Sequence, residues 1–468
     1  MKKFLTKENF IYFFILLSPF LDIISSVFSF GKYSISTFIR PIIPLILLII
    51  IFFQDKKVRL PLIISTLIYL GYFIIHLFIY QDILTKISFG NTLYEASYLC
   101  NYTYLVFLLF VFIYLSKKES LKNLNKVILI YSIIYIGSIF ISIITNTSYE
   151  TYPDSFGYRG WFNTGGAVSC ILLCLLFILI VEFIKKQSKK EKIVKGIIIL
   201  LIVFYLMFLI GTRTGLFGSL LILAISIIFQ IFLPVIRKEK YNKSLITSAS
   251  FLFTGMIILV LIFGSYTIER RKELDNLAGI DPDNPTSDTI YMPTDVIDIV
   301  DGIKNNFLEE NFLSKEQENA LLKLDEYTKK EKIKSTDYRM QQLIYHSFLY
   351  LEQDDIYLKF FGNGFLANMG VLTLEMEFFA FLYNFGIIGI ILFLVPFLSI
   401  FIYSIVVLIK NFKRIDFAYL MYLSACFMIY AISFLAGHTF FNTSVMLIIV
   451  IIHTKLFLKS KEIKGDKS

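Results

Sequence analysis

Charged residues are scarce in this sequence: Asp, Glu, Lys and Arg together make up 17% of the 468 residues, whereas 56% are hydrophobic. A soluble fold could not hide that much apolar surface from water. Continuous apolar runs recur along the chain, each long enough to cross a hydrocarbon layer of about 30 Å. Backbone polar groups in lipid must be satisfied within the protein, and these runs do not alternate as barrel strands do. The sequence therefore predicts an all-α polytopic membrane protein.

Cysteine and histidine are also rare. The four cysteines lie within or at the ends of apolar runs, and the four histidines show no metal-ligand spacing. Neither a disulfide framework nor a zinc site is therefore indicated. A phosphate-cradling glycine loop and a G-x-S-x-G nucleophile turn are absent as well. We accordingly expect no metal and no cofactor.

The net charge of +9 has a simple origin in the loops between the apolar runs. If the N-terminus is cytoplasmic, the loops on that side carry most of the 45 Lys and Arg residues. This distribution follows the positive-inside rule and predicts both termini on the cytoplasmic side of the plasma membrane. Because the basic residues anchor loops rather than form one patch, no nucleic-acid role is expected.

The apolar runs predict about twelve transmembrane helices, at residues 9–29, 36–54, 60–80, 98–116, 127–145, 165–184, 196–211, 214–235, 246–265, 386–409, 415–435 and 439–457. Residues 1–264 hold the first nine, and residues 265–374 form one long extracytoplasmic loop. Residues 375–457 hold a re-entrant or interfacial helix and the last three spans, and residues 458–468 form a cytoplasmic tail.

The long loop is too polar for lipid and too long for a simple connection. Asp281 to Asp288 is rich in turn-forming residues, whereas Ser314 to Gln317 forms a capping box that predicts the start of a helix. A second amphipathic stretch begins near Asp337, so the loop is predicted to form a small helical subdomain. Glu375 to Asn384 is too short to span a membrane and predicts a helix at the outer interface or a re-entrant piece. Such pieces usually border a cavity.

Four arginines are expected at the outer membrane boundary, where an ionised side chain tends to face a cavity or a partner. Arg159 and Arg213 lie in glycine-flanked connections, Arg40 lies in the second helix, and Arg339 lies late in the long loop. Simpler explanations exist, namely snorkelling for Arg40 and Arg213, interfacial anchoring beside Trp161, and a solvated charge at Arg339. Because a guanidinium group binds phosphate oxygens in a bidentate way, we interpret the set as a metal-independent pyrophosphate site.

Two carboxylates and a histidine complete the candidate site. Glu375 and Glu377 stand two residues apart, so in a helix they point to different faces and only one need enter a cavity. A carboxylate at this depth can act as general base toward a sugar hydroxyl. An exposed acidic loop end and a metal-binding pair are the alternatives. His438 is expected at the outer end of the final helix and could line the same site.

The order of these motifs resembles that of the O-antigen ligase and polymerase superfamily, bacterial membrane enzymes with a GT-C-like helical fold. The resemblance covers about half of the chain and rests on Arg159-Gly-Trp-Phe-Asn163, Gly211-Thr-Arg213-Thr-Gly215, Arg339, Gly362-Asn-Gly364 and the stretch from Glu375 to Gly389. The sequence departs from the family pattern in three places. Thr164-Gly165 replaces the usual Pro-Asn, Thr212 replaces the usual Ser, and Glu375 stands where the ligases carry a histidine.

The resemblance implies a metal-independent glycosyltransferase that uses an undecaprenyl-pyrophosphate-linked glycan as donor and a second glycan as acceptor. Arg159, Arg213 and Arg339 would stabilise the departing pyrophosphate, and Glu375 would orient or deprotonate the attacking hydroxyl. Arg40, Glu377 and His438 are expected to bind substrate. The carboxylate at the histidine position favours a polymerase over a ligase. A flippase and a chain-length regulator are plausible partners in the bilayer.

Two other classes of function fit a chain with twelve helices. One is a transporter or a flippase for lipid-linked sugars, but such transporters commonly show two repeated halves and Pro-broken helices, whereas no repeat and few Pro-broken helices are evident here. The other is a non-catalytic assembly or sensor protein, against which the outward cluster of Arg and Glu residues argues. Transfer or polymerisation of surface glycan is therefore the favoured prediction.

Overall fold

The computed structural model describes residues 7–30, 33–83, 89–117, 121–152, 156–185, 188–237, 243–263, 266–270, 294–307, 313–333, 338–352, 356–365 and 372–465. In chain order its helices are α1 (Lys7–Val27), α2 (Ile35–Gln54), α3 (Lys56–Ile83), α4 (Phe89–Lys117), α5 (Leu124–Ile144), α6 (Gly165–Ile184), α7 (Lys189–Phe204), α8 (Arg213–Arg237), α9 (Lys243–Phe263), α10 (Thr294–Lys304), α11 (Lys315–Lys330), α12 (Tyr338–Glu352), α13 (Ile356–Phe361), α14 (Glu377–Gly389), α15 (Val395–Lys410), α16 (Phe417–Leu435) and α17 (Thr443–Lys464). Short antiparallel hairpins pair β1 (Ser29–Phe30) with β2 (Tyr33–Ser34) and β3 (Tyr149–Glu150) with β4 (Tyr158–Gly160).

Helices of membrane-spanning length dominate the described part of the chain. Ten of them are long and apolar enough to cross a membrane, and Ile39–Gln54 within α2 is a shorter apolar helix. Each of the twelve predicted segments coincides with a helix, since apolar runs of this length leave no other way to satisfy the backbone in lipid. The protein is an all-α polytopic membrane protein, as the sequence predicts.

Two helix starts differ from the prediction. The last helix was expected from residue 439 but begins at Thr443, because Gly437 and His438 have positive φ angles and the Asn442 side chain caps the helix. The helix expected from residue 386 is continuous with α14, interrupted only at Gly386, where φ is 69°. The short helix predicted at residues 375–384 corresponds to the part of α14 before this break.

The break in α14 is fixed by two interlocking glycines. A Cβ atom on Gly386 would lie 2.3 Å from the carbonyl oxygen of Phe360, and a Cβ atom on Gly362 would lie 2.3 Å from that of Asn384. Both glycines have positive φ angles, which other residues rarely adopt. The predicted turn at Gly362-Asn-Gly364 therefore packs directly against the kink and fixes where the long loop rejoins the membrane helices.

The two ends of the helix bundle differ chemically. At one, which we call the basic end, Lys117 of α4 lies over the Phe457 ring of α17 and Arg237 ends α8. At the other, Arg40 near the start of α2 donates a hydrogen bond to Thr443 at the start of α17. We call this second end the cavity end. The positive-inside rule predicts that the basic end faces the cytoplasm.

Helices α10, α11 and α12 of the long loop share an apolar cluster separate from the membrane core. Its fully buried members include Leu321 and Leu324 of α11 and Tyr345 and Leu349 of α12. The predicted capping box is confirmed, since the Ser314 side chain accepts from the Gln317 backbone N–H while the Gln317 side chain accepts from the Ser314 N–H. The turn-rich stretch Asp281 to Asp288 lies outside the described residues.

This loop cluster should lose stability in acid because of His346. The buried ring bonds through Nε2 to the carbonyl oxygen of Leu372 at 2.6 Å, and its Nδ1 is buried without a partner in the described residues. Burial lowers the pKa of His346 to about 4. The folded loop thus binds a proton less readily than the unfolded chain, whose histidine pKa is about 6.5.

The contribution of neutral His346 to stability is therefore complete above about pH 6.5 and is lost as the pH falls toward 4. Hydrogen exchange of the α11–α12 amides at pH 7.5, 5.5 and 4.5 should show protection falling across this range. A His346→Gln variant should flatten that dependence. Equal pH dependence in both proteins would contradict the assignment.

Candidate functional site

A cavity of about 800 Å³ lies at the cavity end, between the membrane helices and α12. We call it the large cavity. Its lining comes from distant parts of the chain, including the β3–β4 hairpin, the starts of α6, α8 and α12, and the connection before α17. Five of the seven predicted site residues line it, namely Arg159, Arg213, Arg339, Glu375 and His438. The other two, Arg40 and Glu377, do not.

The start of α8 places Arg213 in the large cavity. Thr212 caps this helix by accepting from the Gly215 N–H at 3.1 Å, and its hydroxyl also bonds Ser169 of α6 at 2.6 Å. Just before it, Gly211 has a φ of 77° and packs against the backbone at Gly157. The glycine-rich turn is needed for this close backbone contact, and it presents Arg213 at the N-terminus of a helix, where anions are favoured.

The β3–β4 hairpin carries Arg159. Strand β4 is held to the π-helical segment that follows α7, Tyr205–Leu209. The Tyr205 hydroxyl donates to the Tyr158 carbonyl oxygen at 2.7 Å. The Arg159 guanidinium lies 5.7 Å from the centre of the Tyr149 ring, and its Nε atom is buried without a partner in the described residues. A buried guanidinium N–H group without a partner is costly, so a ligand oxygen would fill a gap in this hydrogen-bond network.

Arg339 and Glu375 form an ion pair across the large cavity wall. The Arg339 Nε donates to the Glu375 Oε2 at 2.8 Å, and the two side chains are 47% and 35% exposed. Because Arg339 begins α12 and Glu375 precedes α14, the pair ties the loop cluster to the membrane helices. The contact uses one carboxylate oxygen of Glu375, which leaves the other available to a hydroxyl group.

His438 reaches the large cavity through an unusual backbone. Its φ of 65° lies in the left-handed region, where residues other than glycine are uncommon and often functional. The imidazole packs so closely on α6 that a Cβ atom at Gly166 would lie 2.5 Å from its Cδ2. The preceding Gly437 packs against the carbonyl oxygen of Glu375. His438 and Glu375 are therefore neighbours, which their separation in sequence did not indicate.

Glu377, predicted to bind substrate, lies behind the cavity wall instead. Its side chain is 1% exposed and accepts backbone N–H groups from Thr439, Phe440 and Phe441 at 2.7–2.9 Å. It also accepts the hydroxyls of Ser433 and Thr439. Of the two carboxylates only that of Glu375 lines the cavity, although the helix assumed in the spacing argument begins at Glu377 and does not include Glu375. The carboxylate of Glu377 holds the connection that presents His438.

Arg40 is also outside the large cavity, because an internal partner satisfies it. The guanidinium is fully buried, pairs with Asp22 of α1, and donates to Thr443 Oγ1 at 2.8 Å and Ser444 Oγ at 3.1 Å. Removing a guanidinium from water is costly unless a carboxylate and further acceptors compensate. The interpretation of Arg40 as a snorkelling or outward-facing side chain did not consider Asp22, which lies in the preceding helix.

One lining arginine was missed by the sequence analysis. Arg270 ends a short helical stretch, residues 266–270, and its guanidinium lies 3.3 Å from the centre of the Tyr152 ring. Thr267 in the same stretch donates to the Thr212 carbonyl oxygen at 3.3 Å, which brings it beside Arg213. In the sequence, Arg270 lies in a run of charges, Glu269 to Glu273, that resembles a solvated loop. Its position only seven residues after the end of α9 was the available signal.

The lining of the large cavity is strongly cationic. Four arginines line it, whereas Glu375 is its single carboxylate among the described residues. Guanidinium groups arranged around a space of this size suit a multivalent phosphate ligand, which each can bind through two parallel hydrogen bonds. Within the described ranges, no three His, Cys, Asp or Glu side chains come together as a metal-binding group.

Comparison with known proteins gives one match. The family model described as "O-antigen ligase like membrane protein" matches residues 4–463, which is nearly the whole chain. No curated protein and no solved structure matches the sequence.

Proposed function

The chain belongs to the O-antigen ligase-like membrane protein family, and on this premise we propose that it transfers or polymerises undecaprenyl-pyrophosphate-linked glycan units. The family places the protein among membrane enzymes of surface polysaccharide biosynthesis. The proposed reaction takes place in the large cavity, on the outer face of the cytoplasmic membrane, with both termini in the cytoplasm. Polymerisation is favoured over ligation, because Glu375 stands at the position of the ligase histidine.

The observation that carries this proposal is the convergence of Arg159, Arg213, Arg270 and Arg339 on one cavity at the cavity end of the bundle. In the proposed reaction, the acceptor hydroxyl oxygen bonds to the anomeric carbon of the donor, and the bond from that carbon to the pyrophosphate oxygen breaks. Undecaprenyl pyrophosphate leaves with one additional negative charge. Fixed guanidinium groups stabilise this developing charge more than they stabilise the intact donor, which is what accelerates the step.

Glu375 is the proposed acceptor of the hydroxyl proton. One of its oxygens pairs with Arg339, which fixes the carboxylate, and its partial exposure leaves room for the incoming sugar. His438, its neighbour in the cavity, is proposed to hydrogen-bond the substrate rather than to accept the proton.

The direct test is reconstitution of the purified protein in nanodiscs with a lipid-pyrophosphate-linked repeat unit from the host. A ladder of longer lipid-linked glycans, formed with EDTA present, is the result expected of a metal-independent polymerase. Transfer only to a non-identical acceptor would identify a ligase. If no acceptor reacts with or without divalent metal, the proposal fails, and flipping of the donor in liposomes becomes the next assay.

Replacing Glu375 by Gln should reduce the turnover number about 100-fold or more, since the amide cannot accept the proton. The ladder assay measures this at saturating donor. The matched control is Glu352→Gln. Glu352 ends α12, forms an ion pair with Lys323 and does not line the large cavity. Full polymerisation by Glu375→Gln would exclude Glu375 as the base.

A further inference from the structure

A second cavity lies beside the large one, within the membrane helices. It measures about 80 Å³, and its lining includes Asp22 of α1 and the segment Phe162 to Thr164. Thr164 lines both cavities, so the two adjoin at the start of α6. We call this space the small cavity. None of the proposed catalytic residues lines it.

Asp22 leaves an unsatisfied hydrogen-bond acceptor in this cavity. The side chain is 6% exposed, and its Oδ1 accepts hydrogen bonds from both Arg40 and Ser444. Its Oδ2 is buried and has no partner in the described residues. A buried carboxylate oxygen without a donor is costly and rare in native proteins. Polar groups at membrane depth of this kind commonly mark a ligand path.

The ligand that satisfies this oxygen must donate a hydrogen bond without carrying positive charge. The Arg40 guanidinium already neutralises Asp22, and it also donates to the hydroxyls of Thr443 and Ser444. A bound cation would therefore meet a buried guanidinium at short range, and an anion would meet the Asp22 carboxylate. A neutral hydroxyl group fits both constraints.

The rest of the lining suits a carbohydrate. The Tyr135 and Phe162 rings stack with their centres 4.2 Å apart and form an apolar surface of the small cavity. The Asn163 side chain adds an exposed amide opposite the acceptors at the start of α17. An apolar wall with a few fixed polar groups is typical of small-molecule sites. The volume accommodates several water-sized groups, such as the hydroxyls along one edge of a sugar.

We propose that the small cavity is a subsite for the hydroxyl groups of one sugar of the glycan, with Asp22 Oδ2 as the acceptor. This inference rests on the proposed function, because the glycan reaches the subsite from the large cavity past Thr164. The subsite sets which sugar is accepted. A sugar lacking the matching hydroxyl leaves Asp22 unsatisfied and is therefore rejected.

Binding can be measured independently of transfer, because the chain has a single tryptophan, Trp161, adjacent to Phe162. The probe is a repeat-unit oligosaccharide released from the host's surface polysaccharide, without lipid or pyrophosphate. A saturable change in Trp161 fluorescence is expected for the wild-type protein in nanodiscs. The Ala167→Leu variant fills the small cavity while both members of the Asp22–Arg40 pair are retained, and it should weaken oligosaccharide binding at least tenfold.

Inorganic pyrophosphate, titrated as the second ligand, should bind both proteins equally, because it occupies the large cavity. A milder variant, Asn163→Ala, replaces an exposed side chain and should weaken oligosaccharide binding several-fold with an unchanged unfolding temperature.

Repeating the oligosaccharide titration with saturating lipid-linked donor identifies whether the bound sugar belongs to the donor or to the acceptor. Continued binding assigns the subsite to the acceptor, and competition assigns it to the donor.

Absence of saturable oligosaccharide binding, or equal binding by Ala167→Leu, would show that the small cavity holds only water and would overturn the proposal. This failure is distinct from that of the proposed function. If a glycan ladder forms but Ala167→Leu does not change oligosaccharide binding, the proposed activity is supported and the proposed subsite is wrong. Oligosaccharide binding that Ala167→Leu weakens, without transfer to any acceptor, would support the subsite but contradict the proposed enzyme activity.

Discussion

Replacing Arg213 by Ala should lower the rate of glycan transfer by about 100-fold to 1,000-fold, the loss typical of removing one preorganised donor from a developing oxyanion. Arg213 stands at the N-terminus of α8, on a turn fixed by Thr212 and Gly211, so its guanidinium is positioned before the substrate arrives. The lost interaction is made mainly as the pyrophosphate departs. We therefore expect the turnover number to fall more than the Michaelis constant for the donor rises.

The Arg213→Lys variant sharpens this expectation. It keeps the charge but loses the planar fork, so activity should recover only in part. The matched control is Arg59→Ala at the α2–α3 connection, where Arg59 donates to the carbonyl oxygen of Phe52 and lies outside the cavity. Initial rates of ladder formation in nanodiscs measure all three variants. If Arg213→Ala reacts at the wild-type rate, the arginines of the large cavity do not stabilise the departing pyrophosphate.

Replacing Glu377 by Ala should destabilise the protein on the order of 3 kcal/mol or more, because several buried donors lose their acceptor together. Three of these are consecutive backbone N–H groups at residues 439–441. The released connection carries His438 and contacts Glu375 through Gly437. Activity should therefore be lost along with stability.

The neighbouring carboxylate provides the control for this second experiment. Glu375 is partly exposed and makes a single ion pair, so Glu375→Gln should leave the unfolding temperature in nanodiscs nearly unchanged while reducing turnover. Glu377→Ala should lower the unfolding temperature and expose the 436–442 connection to protease. If the two variants unfold at the same temperature, the supporting role of Glu377 is wrong.

The sequence predicted the helices well because their cause is local. A run of about twenty apolar residues can satisfy its backbone in lipid only as a helix, whatever surrounds it. The capping box at Ser314 was predictable for the same reason, since its two hydrogen bonds join residues three positions apart. The starts predicted at residues 386 and 439 were wrong because distant segments shape the chain there: Gly386 packs on the Phe360 backbone, and Glu377 binds the N–H groups of residues 439–441.

The site was less predictable because burial and pairing are not local. Arg40 and Arg213 look equivalent in the sequence, yet Asp22 pairs with Arg40 inside the bundle whereas Arg213 lines the large cavity. Arg270 was overlooked because its contact with the Tyr152 ring and that of Thr267 with Thr212 join segments far apart in the sequence. The i, i+2 argument for Glu375 and Glu377 assumed one helix, but the helix begins at Glu377, and the spacing did not indicate which carboxylate lines the large cavity.

The interlocked glycines have a consequence for how such proteins diverge. Gly157 meets Gly211 two residues before Arg159 and Arg213 respectively, and Gly362 meets Gly386 at the kink of α14. A Cβ atom at Gly157, Gly362 or Gly386 would lie 2.3 Å from a backbone atom, and one at Gly211 would lie 3.0 Å from backbone at a φ of 77°. Backbone cannot move aside as a flexible side chain can. A charged ligand can be held by an arginine from another helix, but these close backbone approaches have no substitute. Across distant relatives, paired glycines at these separations should therefore persist as a more durable marker of the site than the arginines themselves.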